Sequence, residues 1–149
     1  MGDIVLLIGG WAGRKEVISQ LRTSKYRVCY AEETAEALEL LKHQTPCAVI
    51  MDEDQGSAPG IEMLEVLREA TSAPIIVEGT GKEQDIVRAL MLGADAYLDW
   101  SASPAAVLAY LRALLRRENS ENTGADGPSE SSLTEGRGTA GEWRLESNR

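Results

Sequence analysis

Five short apolar runs, each followed by a segment with helical spacing, constrain this chain more than any other feature. The runs are Ile4 to Ile8, Arg27 to Ala31, Cys47 to Met51, Pro74 to Val77 and Ala96 to Leu98. The first, third and fourth are nearly unbroken Val, Ile, Leu and Met. A strand with one wet face alternates, whereas a strand covered on both faces does not, so these runs predict the interior of a parallel sheet. Between them, Val17, Ile18 and Leu21 share a helical face, as do Ala37, Leu38 and Leu41 behind Thr34, which is placed as an N-cap. Ile61, Leu64 and Leu67 follow Gly60. Ile86, Val87, Leu90 and Met91 lead into Gly93, a C-cap. Ser103-Pro104 opens a last helix with a continuous stripe of Val107, Leu108, Leu111, Leu114 and Leu115.

Strand and helix thus alternate with short connections, which predicts an α/β fold: a five-stranded parallel sheet with helices on both faces. In such sheets, sites lie beyond the carboxyl ends of the strands. The residues just after Leu7, Ala31, Met51, Val77 and Leu98 therefore matter most.

The 149 residues suit one domain. The expected division is a folded unit at 1–118, a disordered linker at 119–140 rich in Ser, Gly, Glu, Asn and Thr, and a short tail at 141–149. Phe is absent, so Leu, Ile, Val and Ala must fill the interior. The formal charge of −9 is spread along the chain, which argues against a nucleic-acid surface within these residues. Cys29 and Cys47 are isolated in apolar surroundings and form neither a disulfide framework nor a zinc site; reduced thiols fit a cytoplasmic setting. No signal-peptide pattern precedes Asp3, and no apolar run approaches the ~20 residues that span a bilayer, so no membrane contact is expected.

The stretch from Ala48 to Arg68, AVIMDEDQGSAPGIEMLEVLR, resembles the third strand, phosphoacceptor loop and third helix of a response regulator receiver domain. PIIVEGTGKEQDIVRALMLGADAYL, from Pro74 to Leu98, resembles the fourth strand through the fifth, and SPAAVLAYLRALLRR resembles the last helix. The likeness covers roughly residues 3–117 and implies a (βα)5, flavodoxin-like receiver fold. It implies that Asp52 is the equivalent of the phosphoacceptor and Tyr97 the aromatic residue that reports the switch state. It also implies an acidic pair after the first strand that holds Mg²⁺, a hydroxyl after the fourth, and a lysine after the fifth.

Those partners are replaced. Ile8 and Gly9 stand where the acidic pair belongs, Gly79 (or Glu78, the loop being one residue short) replaces the hydroxyl, and Trp100 replaces the lysine. Mg²⁺ is usually held through one or two carboxylates plus water and phosphate, and phosphoryl transfer depends on positioning and charge neutralisation. Asp52 alone makes a thin site. Glu53 and Asp54 are expected to lead away into the loop, and Asp3 lies at the other end of its strand. The expectation is an atypical pseudo-receiver that binds no cofactor, Mg²⁺ included, with the Trp100 indole lying across the space left by Gly9 and Gly79.

Other motifs are weaker. Gly9-Gly10-Trp11-Ala12-Gly13 lacks the spacing of dinucleotide or Walker loops. His43 suits a helix carboxyl end. No Ser or Cys stands beside a base, so no enzyme is expected. The OmpR/PhoB-like branch of the family forms symmetric dimers through its fourth and fifth helices. Arg88, Asp95, Arg112 and Arg116 would supply that face here, although Ala105 and Ala106 depart from the branch. The tail GEWRLESNR resembles the opening strand of the winged-helix DNA-binding domain found after such receivers. Two functional readings follow. One is a signalling or transcription-regulating receiver that works by protein contact, its sensor kinase unspecified. The other is an α/β module that binds a small effector at the carboxyl edge of the sheet.

Overall fold

The unbroken apolar runs become the middle of the sheet. The computed structural model describes residues 3–11, 14–56 and 58–122, with 119–122 as backbone alone. In chain order the elements are β1 (Ile4–Ile8), α1 (Lys15–Thr23), β2 (Arg27–Ala31), α2 (Thr34–Leu41), β3 (Ala48–Asp52), α3 (Leu64–Ala70, entered through a 3-10 turn at Ile61–Met63), β4 (Ile75–Gly79), α4 (Glu83–Leu92), β5 (Ala96–Asp99) and α5 (Pro104–Asn122). The strands are all parallel and ordered β2-β1-β3-β4-β5, as the (βα)5 reading requires. The three strands without alternation are the three inner ones, because only they carry a helical layer on each side along their whole length.

Successive side chains point to opposite faces, which builds two cores. Leu6, Ile8, Val49, Met51, Ile75, Val77 and Tyr97 pack with α2, α3 and α4. Val5, Leu7, Ala48, Ile50, Ile76 and Leu98 pack with Val17 and Leu21 of α1 and Val107 and Leu111 of α5. Burying each large aliphatic side chain contributes roughly 1.5–3 kcal/mol, so the two layers hold the strand ends firmly enough to fix a site between them.

Gly93 ends α4 with a φ of +124°, as its C-cap role predicts, and Ser103 Oγ accepts the Ala106 N–H at 3.1 Å to open α5. Thr34 differs from expectation. It is the first helical residue rather than the cap, it is buried, and both its N–H and its hydroxyl donate to Gln55 Oε1, at 2.9 and 3.2 Å. Its contact with the loop after β3 was closer to hand than a turn of its own helix. The third and fourth strands also start and end later than the apolar runs, since the ladder continues through Asp52↔Glu78 and Gly79↔Asp99. The last helix passes the boundary expected at residue 118 and reaches Asn122. The remainder of the expected linker and the tail 141–149 lie outside the described residues.

Candidate functional site

The parallel register brings Gly9, Asp52, Glu78, Gly79 and Trp100 to one edge, at the carboxyl ends of four adjacent strands. Asp52 closes β3. Its Oδ1 accepts the Trp100 indole N–H at 3.0 Å and the Asp54 backbone N–H at 2.9 Å. Partial burial raises its carboxyl above the usual range, and these two donors oppose that rise. Gly9 has a φ of +114°, and a Cβ there would stand 2.6 Å from the Asp52 Cβ. A side chain at position 9 is therefore not merely absent; the chain has closed over its place.

Trp100 does not lie where the sequence reading put it. Its backbone N–H bonds Gly79 O at 2.9 Å and its ring is 40% exposed, so it bridges to Asp52 from the rim rather than filling the space at Gly79. That space holds Glu53 and Tyr97, whose Oε1 and hydroxyl a Cβ at Gly79 would meet first. Glu53, expected to lead away into the loop, turns inward instead. The fully buried Tyr97 donates its hydroxyl hydrogen to Glu53 Oε1 at 3.0 Å and accepts the Gly81 N–H at 3.1 Å. The Thr80 N–H reaches Glu53 Oε2 at 3.4 Å. Burial raises the Glu53 carboxyl, and it pushes the Tyr97 phenol to about 12. The Thr80 hydroxyl, just after β4, donates to Asp85 Oδ2 at 2.6 Å.

Sequence reasoning missed the pair Arg14–Glu78. Glu78 is 1% exposed within β4 and pairs through Oε1 with Arg14, just ahead of α1. The signal was present: a carboxylate inside an apolar strand needs a partner, because an unpaired buried charge is costly. Arg14 also lies 5.4 Å from the ring centre of Trp11, a cation–π distance. Trp11 is itself buried and donates its indole N–H to Ile8 O at 3.0 Å. Glu78 Oε2 is buried without a hydrogen-bond partner among the described residues. Desolvation pushes this carboxyl up to about 7 against the pull of Arg14.

A receiver fold implies Mg²⁺, and the donors here do not fit it. Ile8 is wholly buried in the apolar layer, position 9 has no room for a ligand, Asp52 Oδ1 already has two donors, and the Glu53 and Glu78 carboxylates are turned to Tyr97, Thr80 and Arg14. Mg²⁺ prefers near-octahedral oxygen, and among the described residues no group of three or more His, Cys, Asp or Glu could hold a metal ion.

Beside the filled region lies a groove of about 1100 Å³ between α1 and the ends of β1 and β2. Gly10, Lys15, Arg22, Tyr30 and Asp52 are among its walls. On the α4–β5–α5 side, Arg88 sits 3.8 Å from Glu62, and Asp95 accepts from Arg68 (3.0 Å) and the Ile75 N–H (2.8 Å). Arg112 lies 3.4 Å from the Ser24 hydroxyl, and Arg116 is exposed. Val87 and Met91 are exposed on α4. No helix of the described residues is long and apolar enough to cross a membrane.

Residues 12–112 match the family model for the response regulator receiver domain. Among curated proteins, the response regulator MprA of Mycobacterium sp. (strain KMS) is 34% identical over 119 residues, covering 78% of this chain and 51% of that protein. The phosphate regulon transcriptional regulatory protein PhoB of Pseudomonas aeruginosa is 29% identical over 122 residues, covering 78% and 53%. The chain therefore spans about half the length of the curated relatives it matches. Among solved structures, a CheY-like receiver domain protein from Methanospirillum hungatei superposes with a TM-score of 0.74 at 20% identity, over 81% of this chain and 99% of that one. A two-component response regulator from Clostridium difficile gives 0.72 at 21% identity, over 80% and 99%.

Proposed function

The chain belongs to the response regulator receiver family, and from that premise we propose that it is an atypical receiver that signals by protein contact, without conventional Mg²⁺-dependent phosphorylation. The observation that carries this reading is the state of Asp52. Its Oδ1 is occupied by an indole and a backbone N–H, and Ile8 and Gly9 stand where the carboxylates that would hold a metal beside it belong. Transfer to such a group lacks the positioned cation on which phosphoryl transfer depends, and the group's Oδ1 is already engaged. Incubation of the full chain with acetyl phosphate and Mg²⁺, followed by intact mass, is expected to show no gain. A stoichiometric gain that disappears in Asp52→Ala overturns the proposal.

Output in this reading is a homodimer or a protein partner on α4 and α5. The exposed Val87, Met91, Arg88, Arg112 and Arg116 supply apolar and cationic contact there. Light scattering is expected to show a dimer that Arg112→Glu weakens; identical monomer profiles sink it. The half-length match to PhoB and MprA supports a transcription regulator whose DNA-binding domain follows residue 141, in a cytoplasmic two-component pathway.

A second reading has one specific support, the open groove beside Asp52, whose walls carry Lys15, Arg22 and Tyr30 together with Glu32 and Asp54. It makes the domain a ligand-binding module for a small effector. A thermal-shift screen of small polar metabolites separates the two, since a contact-only receiver shows no saturable rise.

A further inference from the structure

We propose that Glu53 is the chain's own substitute for a bound anion, and that with Gly79 and Tyr97 it forms a latch holding the loop after β4 in one arrangement without any phosphoryl group. The inference rests on the receiver reading and specifies how its edge is held.

Three observations converge. First, two donors point to one place beyond β4, the Tyr97 hydroxyl and the Thr80 N–H, and the Glu53 carboxylate takes both, one on each oxygen. Second, Tyr97 is completely buried and its hydroxyl also accepts from Gly81, so the phenol ties β5 to the β4–α4 loop. Third, the seat exists only because position 79 has no Cβ: an added carbon would overlap the carboxylate and the phenol together. Gly79 is thus a requirement of the arrangement rather than a vacancy.

The latch continues toward the surface. The Thr80 hydroxyl donates to Asp85 of α4 and accepts the Lys82 N–H at 3.1 Å, so the start of α4 is fixed to the same loop. A carboxylate supplied by the residue after β3 therefore sets the position of the helix that carries Val87 and Met91.

Amide hydrogen exchange on the full chain tests the latch through its crosswise effects. The Thr80 N–H bonds Glu53, and the Gly81 N–H bonds Tyr97. In Tyr97→Phe, the latch predicts that the Thr80 amide, whose own bond is to Glu53 and not to the phenol, exchanges roughly five- to tenfold faster, the factor for one net hydrogen bond. In Glu53→Gln, where an amide NH₂ must face one of the donors, Gly81 accelerates similarly. The double variant exchanges no faster than the worse single one. Purely local effects, with Thr80 unchanged in Tyr97→Phe and Gly81 unchanged in Glu53→Gln, overturn the proposal, as do effects that multiply in the double variant. Amides in β1 serve as the internal control for global unfolding. The readout is independent of the acetyl phosphate experiment, so a mass gain at Asp52 would defeat the functional reading and leave the latch standing.

Discussion

The two halves of the carboxyl edge have answered the loss of side chains in opposite ways. Over β3, β4 and β5, Gly79 is covered by Glu53 and Tyr97, Asp52 is held by Trp100, and Glu78 by Arg14. Over β1 and β2, Gly9 is closed against Asp52, but an added Cβ at Gly10 meets nothing within 4 Å, and the groove beyond it stays open. Glycine is common to both, so glycine alone does not decide the outcome. What differs is how the neighbours are placed: around Gly79 a carboxylate and a phenol turn inward to bond each other, whereas the groove's walls, Lys15 and Arg22 of α1 and Asp54 and Gln55 of the loop after β3 among them, stand around open space.

The sharpest way to break this contrast is to return a side chain to the filled half. Gly79→Thr puts its Cβ into Glu53 and Tyr97, and overpacking of this kind costs about 3 kcal/mol, read as a shift in the urea midpoint. A loss below about 0.5 kcal/mol would show the filling to be loose.

A smaller effect comes from Glu78. Its folded value of about 7 lies above its ordinary 4.5, so between those pH values the folded protein binds more protons than the unfolded one. Stability associated with the protonated carboxyl is complete below about 4.5 and is lost as pH rises through about 7. Glu78→Gln is expected to flatten that slope and to be more stable at pH 8 by about 2 kcal/mol, because partly exposed Arg14 can turn to water. A variant less stable at pH 8, with the slope intact, would show that Arg14 outweighs desolvation.

The smallest effect belongs to the open half. Gly10→Ala should change stability by no more than about 0.5 kcal/mol, or raise it slightly by stiffening the unfolded chain. A large loss on thermal melting would mean that the groove is not as open as its walls suggest.

Most of the fold was legible in the sequence because its signals are local. Unbroken Val and Ile runs, Gly93 and Ser103 act within one element, and each predicted what it became. Asp52 and Tyr97 were singled out through spacing in motifs resembling the family's, and both lie at or beside the carboxyl edge. The couplings around them were not. Arg14 meets Glu78 across 64 positions and Tyr97 meets Glu53 across 44, and nothing near any of these residues announces the other. The reading of Trp100 failed for the same reason: a vacancy at Gly79 was inferred from one residue, while its filling depends on two others from different strands. Glu78 alone carried a usable warning, a carboxylate in a strand too apolar to leave it unpaired.

Position 9 gives the edge a direction in time. With φ at +114° and the Asp52 Cβ only 2.6 Å from where a side chain would begin, an aspartate placed there meets steric refusal before it meets any cation. One codon change cannot restore the acidic pair; the backbone of the first loop would have to be rebuilt together with it. A side chain at this position is barred by the path of the backbone as well as by the identity of the residue.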